Sequence, residues 1–237
     1  MSKPNEASIS LLKIAFVISI LGLAIIPVLL HQSNKPLTDV AFSRLLIGSL
    51  YTVLCILGIS AVFYPRKCEE SFIARTQSKT SKNTLGEPVS KAVPLQGHHP
   101  DCEEFSTNRI YLRQYVLCAA CTGLLAGAII SLTGALLYFF IGIEFIPADS
   151  RILLIGYAGL FAGLAQFKFH GYAKMMANLS FVLGSLITLI IADLQGRSLL
   201  IDLYVFGLII FLLLTRILIS EWNNSRTCVK CETCRLI

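Results

Sequence analysis

The chain has 237 residues, of which 55% are hydrophobic and only 14% charged, with a formal net charge of +6. Soluble domains carry about 25% charged residues, so this composition excludes an ordinary soluble globular protein and points to the bilayer. The positive balance requires no nucleic-acid partner, because basic loops facing anionic inner-leaflet lipid account for it.

A bilayer core takes about 20 apolar residues per helix. Six runs fit that description in chain order: 11–30, 45–64, 116–143, 152–169, 177–194 and 199–219. The first holds Lys13, close enough to one end to snorkel. It is too long for the apolar core of a signal peptide (roughly 7–15 residues), and no small-x-small cleavage site follows, so a retained helix is expected. The third run is the longest and should tilt or extend past the core; the fourth is short. The fold class expected is all-α: a polytopic membrane protein of six transmembrane helices with a cytoplasmic His/Cys metal knuckle.

Six spans place both termini on one side. Lys and Arg residues near helix ends number 14 on that side, Lys174 and Arg216 among them, and 4 on the other, where Lys35, Arg44, Arg151 and Arg197 lie. The positive-inside rule therefore puts both termini and the long loop after the second run in the cytoplasm. Cys68, Cys102, Cys118, Cys121, Cys228, Cys231 and Cys234 then all face the reducing side, where Cys-x-x-Cys pairs are more often metal or redox sites than structural disulfides. Cys55 lies inside the second run.

The chain divides into two N-terminal helices (1–64), a cytoplasmic linker (65–95), the His/Cys motif with three helices (96–194), a sixth helix (195–221) and a Cys-rich cytoplasmic tail (222–237). Residues 76–95 are polar, lack aromatics and contain two prolines, the composition of a flexible tether. Residues 96–115 carry the motif together with Phe105, Tyr111 and Tyr115, and are expected to be ordered around a metal. Gly123-x-x-x-Gly127 and Gly159-x-x-x-Gly163 read as seams where helix backbones approach closely in lipid.

The sharpest chemical signal is Gly97-His98-His99-Pro100-Asp101-Cys102, followed after fifteen residues by Cys118-Ala119-Ala120-Cys121. Zinc prefers four N or S ligands in a tetrahedron. Cys102, Cys118 and Cys121 supply three, and His99 or His98 the fourth, with Pro100 stiffening the turn between. Cys118 and Cys121 stand three apart at a helix start, on one face and at the positive end of the helix dipole. A closed structural site is the first reading; a thiol–disulfide couple at Cys118 and Cys121 is the second, and unligated cysteines at a helix end a third. Asp101, Glu103 and Glu104 would provide a base for a catalytic metal. A covalent haem would need His after Cys121, where Thr122 stands.

The tail segment Cys228-Val229-Lys230-Cys231-Glu232-Thr233-Cys234 offers three thiols, which Cys68 would complete as a second metal site. The chain lacks the fourth cysteine and proline of an iron–sulfur run; lipid modification of these cysteines and a disordered tail are the other readings. Among polar residues expected within the membrane, Gln166 falls at the end of the fourth helix and Asn178 opens the fifth. Asp193, Arg197 and Asp202 cluster at the outer ends of the fifth and sixth helices, where Arg197 is the candidate partner of Asp202. No nucleotide motif, nucleophile elbow or paired intramembrane carboxylates are seen.

The pattern His98-His99-Pro100-Asp101-Cys102, Cys118-Ala119-Ala120-Cys121-Thr122-Gly123, then Gly163-Leu164-Ala165-Gln166 with Asn178 and Gly184 resembles an uncharacterised family of predicted prokaryotic multi-pass membrane proteins, in its archaeal form. The likeness covers residues 97–184. The acid that many relatives carry before the glutamine is absent here, and Phe169-His170-Gly171-Tyr172 replaces their arginine–serine pair. The resemblance implies architecture and a metal-like cluster but no activity. The expectation is a cytoplasmic-membrane protein in which zinc orders the inner loop for docking a protein partner or for gating. Alternatives are a zinc- or thiol-dependent enzyme acting on a lipid-like substrate and a small-solute transporter.

Overall fold

The computed structural model describes residues 6–32, 40–63, 109–112, 115–147 and 149–230. Its elements are α1 (Glu6–Gln32), α2 (Val40–Phe63), a hairpin of β1 (Arg109–Leu112) and β2 (Tyr115–Cys118), and α3 (Ala119–Ala135), which runs on as a π-helical stretch, Leu136–Ile141. They continue with α4 (Ser150–Leu164), a 3-10 turn at Gln166–Lys168, α5 (Gly171–Gly196) and α6 (Leu199–Lys230). Helices dominate because a chain in lipid must satisfy its backbone hydrogen bonds internally.

Five helical stretches are long and apolar enough to cross a membrane: Ser10–Gln32, Ala41–Val62, Ala119–Ile141, Gly171–Gly196 and Leu199–Asn223. The fourth apolar run forms a shorter helix, Ser150–Leu164, of 15 residues, about 22 Å long against a hydrocarbon core of roughly 30 Å. An outward stripe of Ile14, Val17, Leu21, Ile25 and Val28 on α1 is exposed at the helical spacing of a lipid-facing surface.

The central element is α5, with 61% of its span buried inside the bundle against 22% for α2. The Gly-x-x-x-Gly pairs are packing seams against it. A methyl group added at Gly123 would overlap the Met175 carbonyl oxygen, and one at Gly159 the Ser180 carbonyl oxygen. Gly127 and Gly163 meet Val182 and Phe181 in the same way. Thus α3 and α4 both lie at backbone contact with α5. On another side α6 crosses α5 and packs along α1, where Tyr204 donates to the Gly22 carbonyl at 3.0 Å. Tyr157 of α4 donates to the neighbouring Leu23 carbonyl at 2.7 Å. Gly142, at φ 81°, turns the chain out of the π-helical stretch, a backbone conformation that favours glycine.

The structure departs from the sequence expectation in three places. First, Arg109–Leu112 and Tyr115–Cys118 pair as two antiparallel strands, with Arg109 opposite Cys118 and Leu112 opposite Tyr115, so α3 starts at Ala119 in a fold that is otherwise helical among the described residues. The segment Tyr115–Cys118 contains two aromatic or β-branched residues, which favour a pleated strand, and Ile110 opposite it is buried. Second, α5 begins at Gly171, six residues early, because Ala173, Lys174, Met175, Met176 and Ala177 are compatible with a helix. Asn178 is therefore two turns inside the helix. Third, α4 ends at Leu164 and Gln166 belongs to the following 3-10 turn.

Candidate functional site

Two buried polar clusters occupy opposite ends of α5. The first gathers where α3 begins. Cys118 closes β2 with extended backbone (φ −73°, ψ 121°) as the residue capping α3, and Cys121 lies in the first helical turn. Thr122 donates to the Cys118 carbonyl at 2.9 Å, which steadies that turn. The Gly123 seam, one residue further on, presses this start against the first turns of α5, within reach of Met175 and Asn178. Cys118 and Cys121 form no disulfide.

Opposite them, α6 contributes Arg216, 5% exposed. Its guanidinium donates through Nη2 to Gln166 Oε1 at 3.1 Å and to Asn178 Oδ1, and lies 5.5 Å from the centre of the Phe181 ring. Its Nε has no hydrogen-bond partner among the described residues. Asn178 in turn donates to the Lys174 carbonyl at 2.7 Å. The Lys174 side chain is buried and has Cys118, Cys121 and Arg216 as electrostatic neighbours; Cys121 is also an electrostatic neighbour of Arg216. Among the described residues Arg216 forms no ion pair with a carboxylate. This end therefore combines positive charge, neutral amide oxygens and sulfur.

Gln166 and Asn178, singled out from sequence, are brought together, and Arg216 joins them. That arginine was read as part of the basic inner side. Its position seventeen residues into the apolar run that starts at Leu199 was the available signal, since a charged residue there is normally functional. His98, His99, Cys102, Cys68, Cys231 and Cys234 lie outside the described residues. The backbone at Cys228 is in the last turns of α6. Among the described residues no group of three or more His, Cys, Asp and Glu side chains stands ready to hold a metal; Cys118 and Cys121 supply two ligands at most.

The second cluster gathers carboxylates. Arg44 of α2 donates through Nε to Asp193 Oδ2 at 2.9 Å, and through Nη2 to the Tyr138 hydroxyl at 3.3 Å and Glu144 Oε1 at 3.4 Å. Tyr138 of the π-helical stretch donates to Asp193 Oδ2 at 2.5 Å. The residue before Arg44, Ser43, donates to Asp202 Oδ2 at 3.2 Å. The expected Asp202–Arg197 pair does not form. Arg197 is exposed in left-handed backbone at φ 42°, closing α5, and Arg44 takes the cationic role from a helix distant in sequence. Asp193 and Asp202, expected together at the outer ends of adjoining helices, are electrostatic neighbours here, with α5 and α6 joined by a short turn.

Between the clusters, Tyr51 of α2 shares a 3.0 Å hydrogen bond with Ser185 and donates to the Val182 carbonyl at 3.3 Å. Ser131 of α3 donates to the same carbonyl at 3.3 Å. These contacts are neutral and tie three helices. No family model matches the chain, and no curated protein or solved structure matches it.

Proposed function

We propose that the protein is a six-span protein of the cytoplasmic membrane, both termini inside, in which Cys118 and Cys121 hold a structural zinc with Cys102 and His99 or His98. The metal would fasten the long inner loop to the mouth of α3, making a docking surface for a protein partner or a gate. In this reading α4 crosses as a short span packed against α5, and the resemblance to archaeal-type multi-pass proteins is one of kind.

The observation that carries the proposal is the charge arrangement around the sulfurs. Zinc bound by three thiolates and one imidazole is net negative. A buried guanidinium and a buried ammonium beside Cys118 and Cys121 supply the opposite charge, in surroundings of low dielectric where such complementarity counts. The hairpin adds a mechanical argument: it carries the chain from the loop directly into the capping residue of α3, so a metal there would fix the loop's end.

Metal analysis of the purified full-length protein tests this. Zinc should co-purify and should fall together in Cys118→Ser and Cys121→Ser. Arg216→Met should lower zinc retention against a chelator while the helical content persists. A wild-type protein without zinc, or normal zinc in both serine variants, would overturn the reading.

A further inference from the structure

We propose that Asp202 is a buried proton-binding group, and that its proton decides which helices α2 is tied to at the carboxylate end. This rests on none of the zinc chemistry at the other end of the bundle.

Asp202 is 1% exposed. Among the described residues its Oδ2 accepts one hydrogen bond, from the neutral hydroxyl of Ser43, and its Oδ1 has no partner. A full negative charge in such surroundings is far costlier than a neutral carboxyl with one unpaired oxygen. The charged groups that act on Asp202 are Asp193 from α5 and Arg44 from α2; α1 and α4 contribute none among the described residues. Arg44 is already engaged by Asp193, Tyr138 and Glu144. Asp193 adds like charge, which further disfavours a second carboxylate. One guanidinium thus serves a carboxylate pair, and the member without a direct ion pair is the one that holds the proton.

The consequence follows from the order of two residues. Ser43 and Arg44 are neighbours on α2, one reaching α6 and the other α5. With Asp202 as the neutral acid, its O–H bond intact at one carboxyl oxygen, Arg44 stays with Asp193 and Glu144, and α2 is tied by charge to α5. Breaking that O–H bond passes the proton to water and leaves Asp202 as a carboxylate beside Asp193. The guanidinium is then attracted by both, and the tie is redistributed from α5 toward α6. The bundle would gain a proton-dependent contact between three helices.

Infrared spectroscopy of the full-length protein in phosphatidylcholine vesicles provides the test. At neutral pH the wild type should show a protonated-carboxyl C=O band that is lost in Asp202→Asn and retained in Glu144→Gln. Asp202→Asn, which mimics the neutral acid, should also keep the wild-type melting temperature within a few degrees, whereas Asp193→Asn should lower it. If Asp202→Asn does not fold, the wild-type band is followed in alkaline titration, and its single-step conversion to a carboxylate band supports the proposal. A band that survives Asp202→Asn or disappears only in Asp193→Asn overturns it. So does the absence of any such band at neutral pH, including the case in which sodium chloride titration shows a metal cation in the proton's place.

Discussion

The two ends of α5 solve the problem of buried polarity in opposite ways. At the carboxylate end, Arg44 meets Asp193 directly and Tyr138 closes the arrangement, so charge is matched by charge. At the thiol end, Arg216 donates to the neutral oxygens of Gln166 and Asn178, faces Phe181 and forms no ion pair with a carboxylate among the described residues. About 22 Å of helix separates Asn178 from Asp193, too far for one cluster to compensate the other through screened surface charge. The first end is complete apart from one carboxyl oxygen; the second gathers a guanidinium and an ammonium beside two thiols. The means of assembly differ as well. Ion pairs hold α2 to α5 at one end, whereas glycine contacts bring α3 onto α5 at the other.

That contrast can be broken most severely at Asp193. Removing one partner of a buried pair costs about 3–5 kcal/mol, and since Arg44 is 24% exposed on its side chain and keeps Glu144, Asp193→Ala should lose about 2–3 kcal/mol in a denaturant titration of the micelle-bound protein. Gly123→Val comes next. Its side chain must displace the Met175 carbonyl, and overpacking of this kind costs about 1–3 kcal/mol. The same variant should lose zinc with the loosened thiol end, whereas Asp193→Ala should retain it; equal metal loss in both would erase the proposed independence of the two ends. Tyr138→Phe deletes the hydrogen bonds to Asp193 and from Arg44 but leaves those two paired with each other, so the cost should be about 1.5 kcal/mol; the edge-to-face contact with Phe139 at 4.8 Å between ring centres remains. Glu144→Gln should have the smallest effect, below about 0.5 kcal/mol, because its carboxylate is 57% exposed on its side chain and pairs at 3.4 Å. A larger loss there than at Tyr138 would show that the outer carboxylate, and not the buried network, anchors Arg44.

Each of the six apolar runs holds a helix, though not with the same bounds, and both Gly-x-x-x-Gly pairs fall at close helix contacts, because each signal is local: a run of side chains that lipid tolerates, and small residues one turn apart. The cysteine spacing was equally readable at Cys118 and Cys121. The surroundings of those sulfurs were not. Lys174 was placed near a helix end and Arg216 among the basic residues of the inner side, and only packing shows both of them buried near the thiols. The carboxylate end was misread for a related reason. Arg197 was the nearest cation in sequence, yet its backbone closes α5 and its side chain is exposed, whereas Arg44, 149 residues from Asp193, arrives through the position of α2.

What this sequence determined alone is a chain of apolar helices, where they run and which glycines lie at their seams, since the free energy of placing a segment in lipid depends on its own side chains. What the tertiary structure decided is the partnership of every buried charge. Which cation meets which carboxylate, and which is left among amides and sulfur, depends on helices far apart along the chain, 38 residues for Arg216 and Asn178 and 149 for Arg44 and Asp193, and no local spacing encodes that meeting.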